Sequence, residues 1–250
     1  FVNGDTDPDD DNGHGTHVCG IAASADDTYT GLAPEAGYAA AKVLDSGGSG
    51  AWGDIEQGLQ WVADNRAAYN IVAVNMSLGT STAFNSPTTG QLSDELGDLK
   101  NSGVFVSCAA GNGWYDHQPD EGVAYPAADP SAVAVGNVWT DDFGDVTWRT
   151  GARDYTSGAD RVVSHSDRST TMLDVMAPGA IIQSCAYDWE TGPDWVTKSG
   201  TSMATPGVAG LAVLLREAIE ENWDPADWPV GADWQTTILQ IMQDTGVVIN

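Results

Sequence analysis

Short apolar runs with strand character alternate with helix-patterned stretches along most of this chain, and few folds accommodate that alternation. The run 37–44 (GYAAAKVL) reads as a strand, and 53–66 (GDIEQGLQWVADNR) as a helix with Ile55, Leu59 and Val62 on one face. Residues 71–78 (IVAVNMSL) and 103–109 (GVFVSCA) read as buried strands, separated by a short helix over 93–101. Residues 131–138 and 180–185 are expected to continue the sheet, before a long helix over 201–221 and a last one over 234–243. Such a pattern predicts an α/β fold of three layers, with a mostly parallel central sheet and helices on both faces. Ligands in such sheets bind beyond the carboxyl ends of the strands, so the loops after strands are where chemistry is sought. The polar stretches 114–121 and 140–167 read as surface loops and not as interdomain linkers.

A chain of 250 residues fits one such domain. No apolar run is long enough to span a bilayer, so no membrane partner is expected. The net charge of −27 (36 acidic residues, mostly aspartate, against 9 Lys and Arg) repels nucleic acid and anionic lipid, which excludes both as partners. Cys19, Cys108 and Cys185 each sit among small apolar residues, as buried thiols do, and none has the electropositive setting of a catalytic thiol.

Three motifs carry chemistry. Gly200-Thr201-Ser202-Met203-Ala204-Thr205-Pro206 opens the long helix. Ser202 there can act as a helix cap, or as a nucleophile whose developing oxyanion is held by free N–H groups. Pro206 suits a first turn, where its missing N–H costs nothing. Asn12-Gly13-His14-Gly15-Thr16-His17-Val18-Cys19-Gly20 places His14 at the head of a small-residue helix, where an imidazole can serve as general base. His14 and His17 as a metal pair is the competing reading, and no third nitrogen or sulfur ligand is offered nearby. Asn112, in Ala109-Ala110-Gly111-Asn112-Gly113 after a buried strand, is either a turn residue or an amide donor to an oxyanion.

Together and in this order, HGTHV, AAGN and GTSMATP resemble the subtilisin-like (subtilase) serine peptidases, and the resemblance runs from Asn12 to about Val248. It implies a subtilisin-like fold and a secreted, monomeric serine endopeptidase acting on proteins or peptides. His14 would be the base, Ser202 the nucleophile and Asn112 the oxyanion donor. Gly48-Ser49-Gly50 and Ser77-Leu78-Gly79 would flank an extended substrate as added strands. Ala110, Gly111 and Ala124 would line the pocket for the residue before the cut. No charged residue immediately follows Asn112, so that pocket is expected to be apolar and shallow.

The family's triad also needs a carboxylate, which lies about thirty residues before the His and ends a buried strand. Only thirteen residues precede His14, and Asp5-Thr6-Asp7 has neither the leading strand nor a following Gly. The sequence reading therefore takes 1–250 as a peptidase domain lacking the Asp segment and its strand or strands. Loss of that Asp costs about 3 × 10⁴ in turnover, so residues 1–250 alone are expected to be nearly inactive. Five carboxylates in the seven positions 5–11 suit a hard divalent cation. The resemblance here is to thermitase-like members, and it implies structural Ca²⁺ held by Asp5, Asp7 and Asp9. A solvated acidic loop is the alternative.

Overall fold

A computed structural model describes residues 1–4, 7–187 and 192–249. Its elements in chain order are α1 (His14–Ala23), α2 (Trp52–Tyr69), β1 (Ala73–Met76), β2 (Ala83–Phe84), α3 (Ser93–Asn101), β3 (Phe105–Ala109), α4 (Trp114–His117) and β4 (Val123–Ala124). After these come β5 (Val133–Val138), β6 (Val146–Thr147), β7 (Arg153–Asp154), β8 (Val175–Pro178), β9 (Ile182–Cys185), β10 (Trp195–Lys198), α5 (Thr201–Asn222) and α6 (Asp233–Thr245). Two 3-10 turns, Val2–Gly4 and Pro225–Asp227, complete the set.

The central sheet is parallel, in the order β1-β3-β5-β8. Side-chain alternation along its strands divides the interior into two layers. Val106, Cys108 and Ala134 face α2 and α3, packing with Ile55, Leu59, Leu96 and Leu99. Phe105, Val133 and Val135 face the other way, onto Val208 and Ala212 of α5 and Ile238 and Met242 of α6. Both faces are covered, which explains why β3 and β5 are largely apolar and buried at every position, Ser107 and Asn137 included. The expected three-layer α/β architecture is what forms.

Three expectations need correction. The run 37–44 forms no strand among the described residues: 37–41 are exposed and no neighbouring ladder receives them. Val2 N–H and the Phe1 ammonium both donate to Lys42 O, and Lys42 Nζ donates to Asp9 O. The fourth parallel strand is β8, not 180–185. Pro178 and Gly179 end the ladder on β5, and Ile181 turns the chain at φ 56°. The following residues then pair antiparallel with β10 as a separate ribbon. Finally, 140–167 is not simply a surface loop. It holds the β6–β7 hairpin and ends in buried His165, Ser166 and Asp167.

Candidate active site

β1 and β3 deliver their following loops to the same end of the sheet, and α5 begins there. Ser77, just past β1, has its hydroxyl donating to Ser202 O at 2.8 Å, and Ser202 Oγ donates back to Ser77 O at 3.4 Å. Asn112, just past β3, accepts from Thr201 N–H through Oδ1 at 2.9 Å. Gly111 N–H donates to Thr201 Oγ1 at 3.2 Å. With Oδ1 occupied, the Asn112 Nδ2 group is left as a donor beside the turn that carries Ser202. Gly200 bends that turn at φ 150°, and a Cβ there would meet the Asn112 amide at 3.3 Å, so only glycine lets the two segments approach this closely.

α1 packs on α5 and on the β9–β10 ribbon. A Cβ on Gly210 of α5 would lie 2.9 Å from Leu32 Cβ and 3.2 Å from Ala22 O. One on Gly20 would strike Ser184 Oγ and Cys185 Sγ, at 2.3 and 2.7 Å. His17 ties α1 to the ribbon: its Nε2 lies 3.1 Å from both Ile182 O and Val196 O, so it is the protonated nitrogen. Its Nδ1 is buried without a hydrogen-bond partner among the described residues. His14 is half-buried and makes no hydrogen bond within the described chain, to Ser202 or to a carboxylate. Burial lowers its pKa, the Lys198 charge adds to this, and Asp10 opposes it. Burial and Lys198 thus favour the neutral ring.

Asp10, which sequence reading placed only in an acidic run, holds this helix start together. Its Oδ1 accepts from Asn12 and Gly13 N–H, and its Oδ2 from the Thr16 N–H and hydroxyl, at 2.6–2.9 Å. Burial pushes the carboxyl up, but the Thr16 hydroxyl and these N–H groups outweigh it and bring the pKa to about 2. The helix cap is therefore Asp10 reaching over a left-handed Gly13, an arrangement without a local N-cap signature.

Of the residues expected around substrate, Gly79, Ala110, Gly111 and Ala124 do come together. Ala124 N–H donates to Ala110 O at 2.7 Å, and Cβ atoms on Gly79 or Gly111 would each lie 3.2 Å from Ala124 Cβ. Leu78, between Ser77 and Gly79, packs against the core layer under α2 and α3. Gly48, Ser49 and Gly50 form an exposed turn closed on Asp45, and Asn12 Nδ2 joins it to the His14 loop through Ser46 O at 2.9 Å. A carboxylate also lies here: a Cβ on Gly111 would strike Asp167 Oδ2, so the surroundings of Gly111 are not purely apolar.

Among the described residues no three His, Cys, Asp or Glu side chains are grouped so as to hold a metal ion. Asp5 lies outside the described residues. Asp9 N–H donates to Asp7 Oδ1 at 3.0 Å, while Lys42 Nζ reaches Asp9 O and Asp11 Oδ2 at 2.8 and 2.7 Å. All three cysteines are free; Cys108 is buried and its thiol pushed up by burial, whereas Cys19 and Cys185 are only half-buried.

The parallel α/β sheet thus carries Ser202 at the start of α5, with the Asn112 amide beside that turn and α1, which bears His14, packed against α5. The chain belongs to the subtilase family, whose model matches residues 1–247. It is 36% identical over 218 residues to a subtilisin of Bacillus pumilus, covering 86% of this chain and 67% of that protein. A cuticle-degrading serine protease of Arthrobotrys oligospora is 35% identical, covering 87% of this chain and 44% of its own length. Subtilisin E of Bacillus subtilis is 36% identical, with 49% of its length covered, so the chain spans about half of several relatives. Among solved structures, a cold-adapted subtilisin-like serine proteinase matches 98% of this chain and 71% of its own, with a TM-score of 0.71 and 29% identity. Sphericase matches 94% of this chain and 70% of its own, with a TM-score of 0.66 and 31% identity.

Proposed function

We propose that the protein is a serine endopeptidase of the subtilase family, with Ser202 as nucleophile, His14 as general base and Asn112 as oxyanion donor. The observation that carries this reading is the joint between Asn112 and the Thr201-Ser202 turn. With Thr201 N–H taken by Asn112 Oδ1 and Met203 N–H by Gly200 O, the Asn112 amide and the Ser202 N–H are the donors that would serve the charge developing on an attacked carbonyl. His14, its neutral form favoured by burial, is the base that would take the Ser202 proton. Ser202 Oγ rests on Ser77 O in the absence of substrate, and transfer of its proton to His14 requires that hydroxyl to rotate. Protein or peptide chains are the proposed substrates, held extended between 48–50 and 77–79. An exported, monomeric enzyme is the setting this reading implies, and no helix among the described residues is long and apolar enough to cross a membrane.

A fluorophosphonate probe tests this directly: it should label the full-length protein at Ser202 and leave Ser202→Ala unlabelled. A peptide-binding relative without turnover is the second reading, favoured by the lack of any hydrogen bond between His14 and Ser202, and it predicts no labelling.

Calcium at the acidic loop is a separate proposal, with Asp5, Asp7 and Asp9 as its ligands and charge density as its support. The described members do not by themselves fit an ion. Asp10 is used as a cap, Asp11 is paired with Lys42, and the Lys42 ammonium already sits on the loop. A lowered melting temperature on chelation supports calcium, and an unchanged one retires it.

A further inference from the structure

The wall formed by Gly111 and Ala124 carries a charge that neither segment supplies. A Cβ on Gly111 would lie 2.1 Å from Asp167 Oδ2 and 3.2 Å from Ala124 Cβ, so this carboxylate oxygen sits at the junction of the two residues. Asp167 is fixed from both ends. Its N–H donates to Gly111 O at 2.9 Å, and its Oδ1 accepts from His117 Nε2 at 2.9 Å. His117 is itself held by Nδ1 donating to Asp120 O at 2.7 Å. With an oxygen acceptor at each ring nitrogen, His117 is arranged as an imidazolium. The Asp167 side chain is only 5% exposed. Burial pushes its carboxyl up, His117 and the Gly113 N–H oppose this, and among the described residues no side-chain donor reaches Oδ2.

The other cation nearby is committed elsewhere. Arg168 donates to Ser166 O and Val163 O and lies 4.6 Å over the Trp114 ring. The group presented at the Gly111–Ala124 junction is therefore the carboxylate. Glycine at 111 places no side chain between this oxygen and Ala124.

We propose that Asp167 is a specificity-determining residue, whose Oδ2 at the floor of the pocket favours Lys or Arg immediately before the scissile bond. This rests on reading Ser202 as the nucleophile and Gly111 and Ala124 as the pocket wall. A cationic side chain completes a charge-assisted hydrogen bond with a buried carboxylate. An aliphatic one leaves the buried acceptor unpaired, and an acidic one meets like charge. His117 acts as a positioning residue, holding Oδ1 so that Oδ2 faces the junction.

The test uses the full-length protein and three tetrapeptide p-nitroanilides that differ only in the last residue: Lys, norleucine or Glu. Wild-type kcat/KM for Lys should exceed that for norleucine by at least about tenfold, with Glu the poorest. Asp167→Asn should cut the Lys-to-norleucine ratio of kcat/KM by about tenfold or more. A wild-type enzyme that prefers norleucine overturns the proposal even if the variant does not fold. So does a ratio that survives Asp167→Asn. If no substrate is cleaved and the fluorophosphonate leaves Ser202 unlabelled, the catalytic reading beneath the proposal fails as well. A labelled Ser202 with norleucine preferred removes the Asp167 proposal alone.

Discussion

Asn112 shows how a single side chain becomes readable only through its neighbours. An Asn followed by Gly is a common turn, yet its Oδ1 on Thr201 N–H fixes the amide beside Ser202. Asn112→Ala should lower kcat by about 10²–10³ with little change in KM, because the oxyanion exists only beyond the ground state. Steady-state kinetics on the full-length enzyme check this, and a pure rise in KM would contradict it. Ser202, His14 and Asn112, the residues proposed for catalysis, could be singled out because each stands in a contiguous motif. Asp167 could not, because it meets His117 across fifty positions of sequence and Gly111 across a similar gap. No local pattern announces such a contact.

α1 depends on a cap that lies outside it. Asp10 spans from Asn12 to Thr16, and removing its carboxylate strands the first N–H groups of the helix that carries His14. Asp10→Ala should destabilise the fold by about 1–2 kcal/mol in denaturant titration. The pH dependence follows from its pKa of about 2, below the ordinary carboxylate value of 3.8. The cap's contribution is complete above pH 4 and is lost as pH falls toward 2. Because the carboxyl is partly solvated, that loss amounts to about 1 kcal/mol after allowance for screening. Asp10→Ala should therefore show a shallower fall in stability between pH 4 and pH 2 than wild type, and an identical slope would contradict the assignment.

Gly20 makes the same point from the packing side: a Cβ there would strike Ser184 and Cys185. Gly20→Val should cost several kcal/mol and lower the melting temperature. At this scale most helices and the strands β1, β3 and β5 were legible from apolar period and length. The run 37–44 misled because strand composition does not supply a hydrogen-bonding neighbour. The ribbon of β9 and β10 was misassigned because the turn at Pro178, Gly179 and Ile181 redirects a chain that otherwise reads as sheet.

Over the whole molecule the charge of −27 acts on stability without choosing the fold. Few cations offset it, and Lys42, Arg153 and Arg216 are engaged with Asp11, Asp145 and Glu220. Raising NaCl from 0.1 to 1 M shortens the screening length from about 10 to 3 Å, so the melting temperature should rise. A flat or falling response in calorimetry would show that self-repulsion is not a main destabilising force. The central claim concerns Ser202, and mass spectrometry of the fluorophosphonate-treated full-length protein tests it most directly. The account predicts one adduct, on the peptide carrying Gly200-Thr201-Ser202, that is absent from Ser202→Ala. An unmodified Ser202 in folded protein, or an adduct that persists in Ser202→Ala, would contradict it.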